Sequence, residues 1–285
     1  MIVTDQPEEL RHLLDEARHA GKRVGLHPTM GALHGGHRSN VRQMAAECDT
    51  AAVSIFVNPL QFGPSEDFDA YPRSLEADLA QAEEAGAHIV LVPSNRAMLG
   101  CDPVVSVHVG RLSEVLEGPR RPGHIDGVAT VVTKLLSVAG PCWAYFGEKD
   151  FQQLVVVRRL VSELLLPAVV VGCPTVREPD GLALSRRNAS LSDDERRAAP
   201  ALYWSLLAGK RLVEEQSARG PEQVRAAMLA AAAREALLEL DYAEVVGPET
   251  LRTPPAITGE VRLLAAGRVG RTRLIDNVVA SPGEA

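Results

Sequence analysis

His34 and His37 stand three residues apart in the segment Pro28-Thr29-Met30-Gly31-Ala32-Leu33-His34-Gly35-Gly36-His37, between an apolar run and a helical pattern. That layout suits a phosphate site. Gly35 and Gly36 let a backbone come close to a ligand, and a helix beginning near His37 offers unpaired N–H groups and the positive end of its dipole. Each imidazole can also donate to phosphate oxygens. The competing reading of a bare His-x-x-His is a pair of histidines bonded to their neighbours. A zinc site fits less well, because the His-Glu-x-x-His signature sets its histidines four apart on one helical face around a Glu, and this segment has neither feature.

The elements that must position this segment are legible in the apolar periodicity. Pro7 to Ala20 reads as an amphipathic helix ended by Gly21, and Val24 to His27 as a strand running into the histidine loop. After the helix that carries Val41, Met44, Ala45 and Cys48, the nearly continuous apolar run Ala51 to Val57 suits a buried parallel strand. Leu75 to Ala85 is helical, His88 to Pro93 a third strand, Gly127 to Val138 a helix, Cys142 to Phe146 a fourth strand, and Ala168 to Gly172 a fifth. This alternation predicts an α/β fold, a doubly wound parallel Rossmann-like sheet, whose ligands bind beyond the carboxyl ends of the strands. Four segments occupy such positions: the histidine loop, Asn58 to Gly63, Gly147 to Asp150, and Thr175 to Glu178.

Past Arg177 the texture changes. Glu178-Pro179-Asp180-Gly181 is turn-like, alanine-rich helical stretches follow at Asp193 to Gln216 and Pro221 to Leu240, and Asp241 to Val246 and Val261 to Ala266 read as short strands. The expected division is therefore a larger domain over residues 1–176 and a smaller α+β C-terminal domain over 177–285.

The chain has 285 residues, enough for a large core, and its 46% hydrophobic and 24% charged content argues against disorder. No apolar run reaches bilayer length, and Met1-Ile2-Val3-Thr4-Asp5 lacks the parts of a secretory signal. The scattered Cys48, Cys101, Cys142 and Cys173 suggest reduced, mostly buried thiols, so a cytoplasmic location without a membrane partner is expected. A net charge of −7 gives no footprint for nucleic acid.

Several motifs together resemble the pantothenate synthetase (pantoate–β-alanine ligase) family, of the nucleotidylyltransferase-like superfold. They are Pro28 to His37, Val53 to Phe62, Pro122-Gly123-His124, Gly127 to Leu135, Phe146-Gly147-Glu148-Lys149-Asp150-Phe151-Gln152-Gln153 and Leu184-Ser185-Arg186-Arg187-Asn188, in family order over nearly the full length. The resemblance implies a two-step reaction, in which pantoate and ATP give pantoyl adenylate and pyrophosphate before the amine of β-alanine displaces AMP. A pantoate carboxylate is already ionised near neutral pH, so its attack needs alignment and charge neutralisation rather than a general base.

On this reading His34 and His37 hydrogen-bond the phosphates, with His37 in the family's proton-donor role, and Lys149 supplies a compact positive charge for the α-phosphate or the departing pyrophosphate. A lone lysine is otherwise a surface ion-pair partner. The resemblance places Met30, Gly31, Ala32, Leu33, His34, Gly35, Gly36 and His37 in the ATP site, with Gly147, Glu148, Lys149 and Asp150 against the nucleotide. Asp150 can also cap the following helix. Val176 and Leu184 are expected at the adenine, and Ser185, Arg186 and Arg187 as the second phosphate-binding segment. Gln61 and Gln153 resemble the family's pantoate-binding pair, Gln61 also lies near β-alanine, and Asn58 shapes that pocket.

The chain departs from its family at Arg186, which replaces a serine, at His27 and Arg38, which replace apolar residues, and at Gly35, which replaces a frequent acid. ATP chemistry brings Mg²⁺, for whose water shell Glu76 and Asp78 are candidates, although helix geometry alone puts both on a solvated acidic face. Similarity also implies a homodimer. The alternatives are a nucleotidylyltransferase acting on a phosphorylated acceptor and a nucleotide-binding protein silenced at Arg186.

Overall fold

The computed structural model describes residues 1–63, 68, 71, 73–216 and 218–283. The chain divides into two units, one of Met1–Glu148 with Gln152–Pro174 and the other of Lys149–Phe151 with Thr175–Ala285.

The first unit runs β1 (Ile2–Thr4), α1 (Pro7–His19), β2 (Val24–Thr29), α2 (Gly35–Glu47), β3 (Thr50–Ile55), α3 (Leu75–Glu84), β4 (Ile89–Leu91), the short α4 (Asn95–Leu99) and α5 (Glu117–Arg120), α6 (His124–Ala139), β5 (Cys142–Gly147), most of α7 (Phe151–Glu163) and β6 (Ala168–Cys173). Its sheet has six strands in the order β1-β4-β3-β2-β5-β6, all parallel. Local chemistry sets the helix ends. In α1, Pro7 occupies the first turn, where its missing N–H is harmless, with Glu8 and Glu9 beside it and Arg18 and His19 in the last turn. Every residue of β3 is buried, as a central parallel strand covered on both faces must be.

The order of strands fixes where a ligand can enter. From β2 the chain winds outward through β3 and β4, then returns through α6 to lay β5 on the other side of β2. The switch point therefore lies between β2 and β5, and the segments leaving their carboxyl ends are the histidine loop and Gly147-Glu148.

The second unit contains α8 (Asp193–Ala198), α9 (Ala201–Glu214), α10 (Pro221–Ala232) and an antiparallel sheet of β7 (Leu238–Val246), β8 (Val261–Val269) and β9 (Thr272–Ala280) in that order. Ser192 and Glu195 close a capping box on α8. Leu202, Leu206, Val213, Val224 and Met228 pack on Val245, Leu263, Ala265 and Leu274 to form its core. The helix expected over Asp193 to Gln216 is two helices, parted at Ala199-Pro200, where proline cannot continue the hydrogen-bond ladder. The helix expected to reach Leu240 stops at Ala232, and Leu238 to Leu240 pair with Val269 to Gly267 as the start of β7. Cys48, Cys142 and Cys173 are buried free thiols, and Cys101 is exposed.

Candidate active site

The loop from β2 to α2 is held in an unusual backbone shape. Gly31 and Ala32 have φ of 80° and 50°, two left-handed residues in succession, and at alanine that conformation costs about 1–2 kcal/mol. Asp78 of α3 compensates, because its carboxylate accepts the N–H of Ala32 at 2.9 Å and of Leu33 at 2.7 Å. A side chain at 31 would put its Cβ 2.8 Å from Asp78 Oδ2, so glycine is needed there for space as well as for φ. Asp78 is 3% exposed, which corrects the expectation of a solvated acidic face; Glu76 alone is exposed. Both Asp78 oxygens serve the loop, and among the described residues no group of three His, Cys, Asp or Glu side chains is placed to hold a metal.

His34 caps α2, which begins at Gly35, so that His37 sits within the first turn. The Nδ1 atom of His34 accepts from Gly36 N at 3.1 Å, which puts the proton of the neutral ring on Nε2. Gly36 permits the cap, since a Cβ there would lie 2.9 Å from His34 Cε1. The His34 and His37 rings stand 4.1 Å apart, and no acidic residue occupies the first turn to compete for an anion at the helix end. Inside the pair, His27 donates from Nδ1 to the Tyr145 carbonyl at 2.8 Å. Burial pushes the His27 pKa down to about 4, with the Tyr145 bond opposing.

Beyond β3, a 3₁₀ turn at Pro59–Gln61 presents the amides. Asn58 donates to Gln61 Oε1 at 3.1 Å and to the Gly127 carbonyl at 3.0 Å, while its Oδ1 accepts from Leu60 N. Its hydrogen-bonding groups are thus engaged internally, so Asn58 acts by orienting Gln61. Gln61 directs Nε2 at Met30 Sδ, a weak acceptor that a stronger one could replace. The turn seats on α6 only because residue 127 is glycine: a Cβ there would lie 2.2 Å from the Leu60 carbonyl oxygen. His124 joins the same turn, with Nδ1 donating to the Gln61 carbonyl at 2.9 Å and Nε2 facing Arg121 at 2.9 Å. The motif Pro122-Gly123-His124 thereby acquires a role that its sequence alone did not suggest.

At the end of β5 a Cβ on residue 147 would meet only Asn40 Nδ2 of α2, at 3.4 Å, so the protein itself makes no demand for glycine there. On α7, Gln152 is buried and spent on Glu117 N and the carbonyls of Leu112 and Val115, whereas Gln153 is half-buried. A separate cavity of about 380 Å³ at the ends of β3 and β4 is lined by Met30, Phe56, Val57, Arg73 and Val92 and includes neither histidine of the pair nor Gln61.

In the second unit, Lys149 has its carbonyl held by Asn277 Nδ2 at 3.0 Å, and its Nζ lies 3.6 Å from Asp150 Oδ1. Val176 and Leu184 face one another across a backbone bond of 2.9 Å. Ser185 caps the 3₁₀ turn Arg186–Ser190 by accepting from Arg187 N at 3.3 Å, and Arg187 donates to the Arg273 carbonyl. Lys149, Ser185 and Arg187 line one narrow cleft with Asp276. Asp276, whose pKa burial raises against the pull of Arg177, binds that guanidinium at 2.6 and 2.9 Å, and Arg177 also lies 4.0 Å over the Tyr203 ring. Asp276 and Asn277 lie on β9 and escaped the sequence reading, which had no local signal for partners so distant in the chain.

Among the described residues no helix is long and apolar enough to cross a membrane. A family model described as pantoate-beta-alanine ligase matches residues 2–279. A pantothenate synthetase of Pseudomonas aeruginosa is 50% identical over 278 residues, 95% of each chain, and one of Saccharopolyspora erythraea is 46% identical over 285 residues, covering 100% of this chain and 92% of the relative. The solved pantothenate synthetase of Thermus thermophilus superposes with a TM-score of 0.92 at 44% identity, over 98% of this chain and 99% of that one. A pantoate-beta-alanine ligase from Francisella tularensis, complexed with beta-gamma ATP and beta-alanine, gives 0.79 at 30% identity, over 98% and 97%.

Proposed function

The chain belongs to the pantoate–β-alanine ligase family, and we propose that it condenses pantoate with β-alanine to pantothenate through a pantoyl adenylate, releasing pyrophosphate and AMP. The observation that carries this reading is the His34-capped start of α2 at the switch point between β2 and β5, an anion site with imidazoles on its rim. The Francisella tularensis relative, with its ATP ligand and β-alanine, supports the same substrates.

In the first step a carboxylate oxygen of pantoate bonds to the α-phosphorus of ATP as the bond to pyrophosphate breaks. His34 and His37 donate to phosphate oxygens, and Lys149 balances the negative charge that accumulates on the α-phosphate and the leaving group. Ser185, Arg186 and Arg187 add donors for the phosphates, Gly147 and Asp150 meet the nucleotide, and Val176 and Leu184 flank the adenine. Gln61 and Gln153 hold the hydroxyls and carboxylate of pantoate. In the second step the free amine of β-alanine bonds to the acyl carbon, AMP departs with the electron pair of the broken C–O bond, and the nitrogen gives up a proton. Among the described residues no group of three His, Cys, Asp or Glu side chains is placed to hold Mg²⁺, and the ion enters this proposal with the nucleotide. The reading includes a cytoplasmic homodimer without nucleic-acid or membrane partners, in keeping with the charge of −7.

Exchange of labelled pyrophosphate into ATP tests it. Exchange should require pantoate, and pantothenate should form when β-alanine is added. Exchange with a phosphorylated acceptor and silence with pantoate would replace the ligase by a nucleotidylyltransferase.

A further inference from the structure

His27 is 3% exposed on β2, and its bond to the Tyr145 carbonyl puts the proton on Nδ1 and the lone pair on Nε2. That Nε2 is buried and has no hydrogen-bond partner among the described residues. Its ring lies 6.0 Å from the His37 ring at an angle of 50°, and His37 in turn lies 4.1 Å from His34. An acceptor without a donor thus belongs to the ring beside His37. An apolar core sheds such a group unless some state of the protein uses it, because a buried lone pair loses its water for no return.

We propose that His27 is a positioning residue whose Nε2 accepts a hydrogen bond from one ring N–H of His37 when His37 is charged, leaving the other N–H of His37 to face phosphate. The proposal rests on the reading that His37 meets the triphosphate. The separation of 6.0 Å is about an ångström beyond an end-to-end hydrogen bond between imidazoles, and a side-chain rotation of His37 closes it when that ring takes up its second proton. A neutral acceptor suits this task, since a carboxylate in the same place would cancel the charge that His37 offers to phosphate. His27 stays neutral because burial disfavours its charged form.

The titratable groups on the packed elements have other engagements. Tyr145 of β5 gives its hydroxyl to Glu47 at 2.8 Å and lies 3.4 Å from Cys48 Sγ. Cys173 of β6 is a buried thiol, Arg38 of α2 pairs with Glu84, Asp78 of α3 holds the loop, and His34 caps α2.

NMR titration of the imidazole C–H resonances in the full chain, without ligands, tests the proposal. His27→Leu should lower the His37 midpoint by about half a pH unit or more and weaken pyrophosphate binding about threefold. His27→Gln, which keeps an acceptor at the end of the side chain, should bring the midpoint back to within about 0.2 unit of the parent. A merely structural role would move the unfolding midpoint and leave the His37 titration alone. An unchanged His37 midpoint in His27→Leu, or equal lowering by Leu and Gln, overturns the proposal. His27→Met serves as the apolar variant should the leucine variant not fold. The titration involves no pantoate, so its failure is distinct from failure of the ligase reading, which would appear as absent pantoate-dependent exchange in the parent protein.

Discussion

The Asp78 carboxylate accepts the Leu33 backbone N–H at 2.7 Å, and through this bond helix α3 holds the loop that presents the histidine pair. Its other oxygen takes the N–H of Ala32, so one buried side chain holds two successive loop residues, the first of them left-handed. Asp78→Ala removes both acceptors and leaves the buried Leu33 donor and the part-buried Ala32 donor unpaired. A loss of about 2–4 kcal/mol is expected in urea unfolding, with ATP affinity falling about tenfold or more. A loss below about 0.5 kcal/mol would mean that the loop keeps its shape unaided.

Lys149→Ala should slow single-turnover formation of the adenylate by about a hundredfold or more, the scale on which removal of one preorganised charge or donor acts at a transition state. Quench-flow measurement of AMP-linked product checks it. A rate near that of the parent would remove Lys149 from the chemistry.

Gln153 is half-buried, one residue along α7 from Gln152, whose amide is committed to structure. Gln153→Ala should raise the pantoate KM about tenfold and change kcat less than about threefold, the pattern of a lost uniform binding contact. An unchanged pantoate dependence counts against its placement at the acid.

Acid should expose His27. Burial lowers its pKa from 6.5 in the unfolded chain to about 4 in the fold. The unfolded chain then takes up the proton first as pH falls, so stability present above pH 6.5 is lost progressively towards pH 4. That gap corresponds to about 3 kcal/mol. Urea titrations at neutral pH and near pH 4 should show the parent losing about that much more than His27→Leu. Parallel losses would mean that the imidazole is not held neutral.

The α/β alternation was legible because buried parallel strands such as Thr50–Ile55 read as apolar runs and the helices between them carry an apolar stripe. The histidine loop was legible because its glycines and imidazoles are contiguous. Three kinds of feature were not. Strand β1 has only Ile2–Thr4, too short for any period, and exists by pairing with Ile89–Leu91 across the sheet. The Leu-Glu-Leu at 238–240 continues an alanine-rich helical pattern as well as it starts a strand, and its pairing with β8 decided the matter. Asp78 looked solvated because a helical wheel sees only its own helix, whereas its partners Ala32 and Leu33 lie far back in the chain. Arg186 opens the 3₁₀ turn that Ser185 caps.

Lys149, Asp150 and Phe151 belong with Thr175–Ala285, although the residues before and after them belong to the other unit. Asn277 of the last strand secures the Lys149 carbonyl, and Arg262 stacks 4.0 Å over the Phe151 ring. A fragment cut at Pro174 would therefore keep the lysine and discard its moorings. Trimming the carboxyl terminus back past Asn277 would release the backbone of a residue that precedes it by more than a hundred positions, so under the proposed role of Lys149 truncation there costs adenylate formation as well as packing.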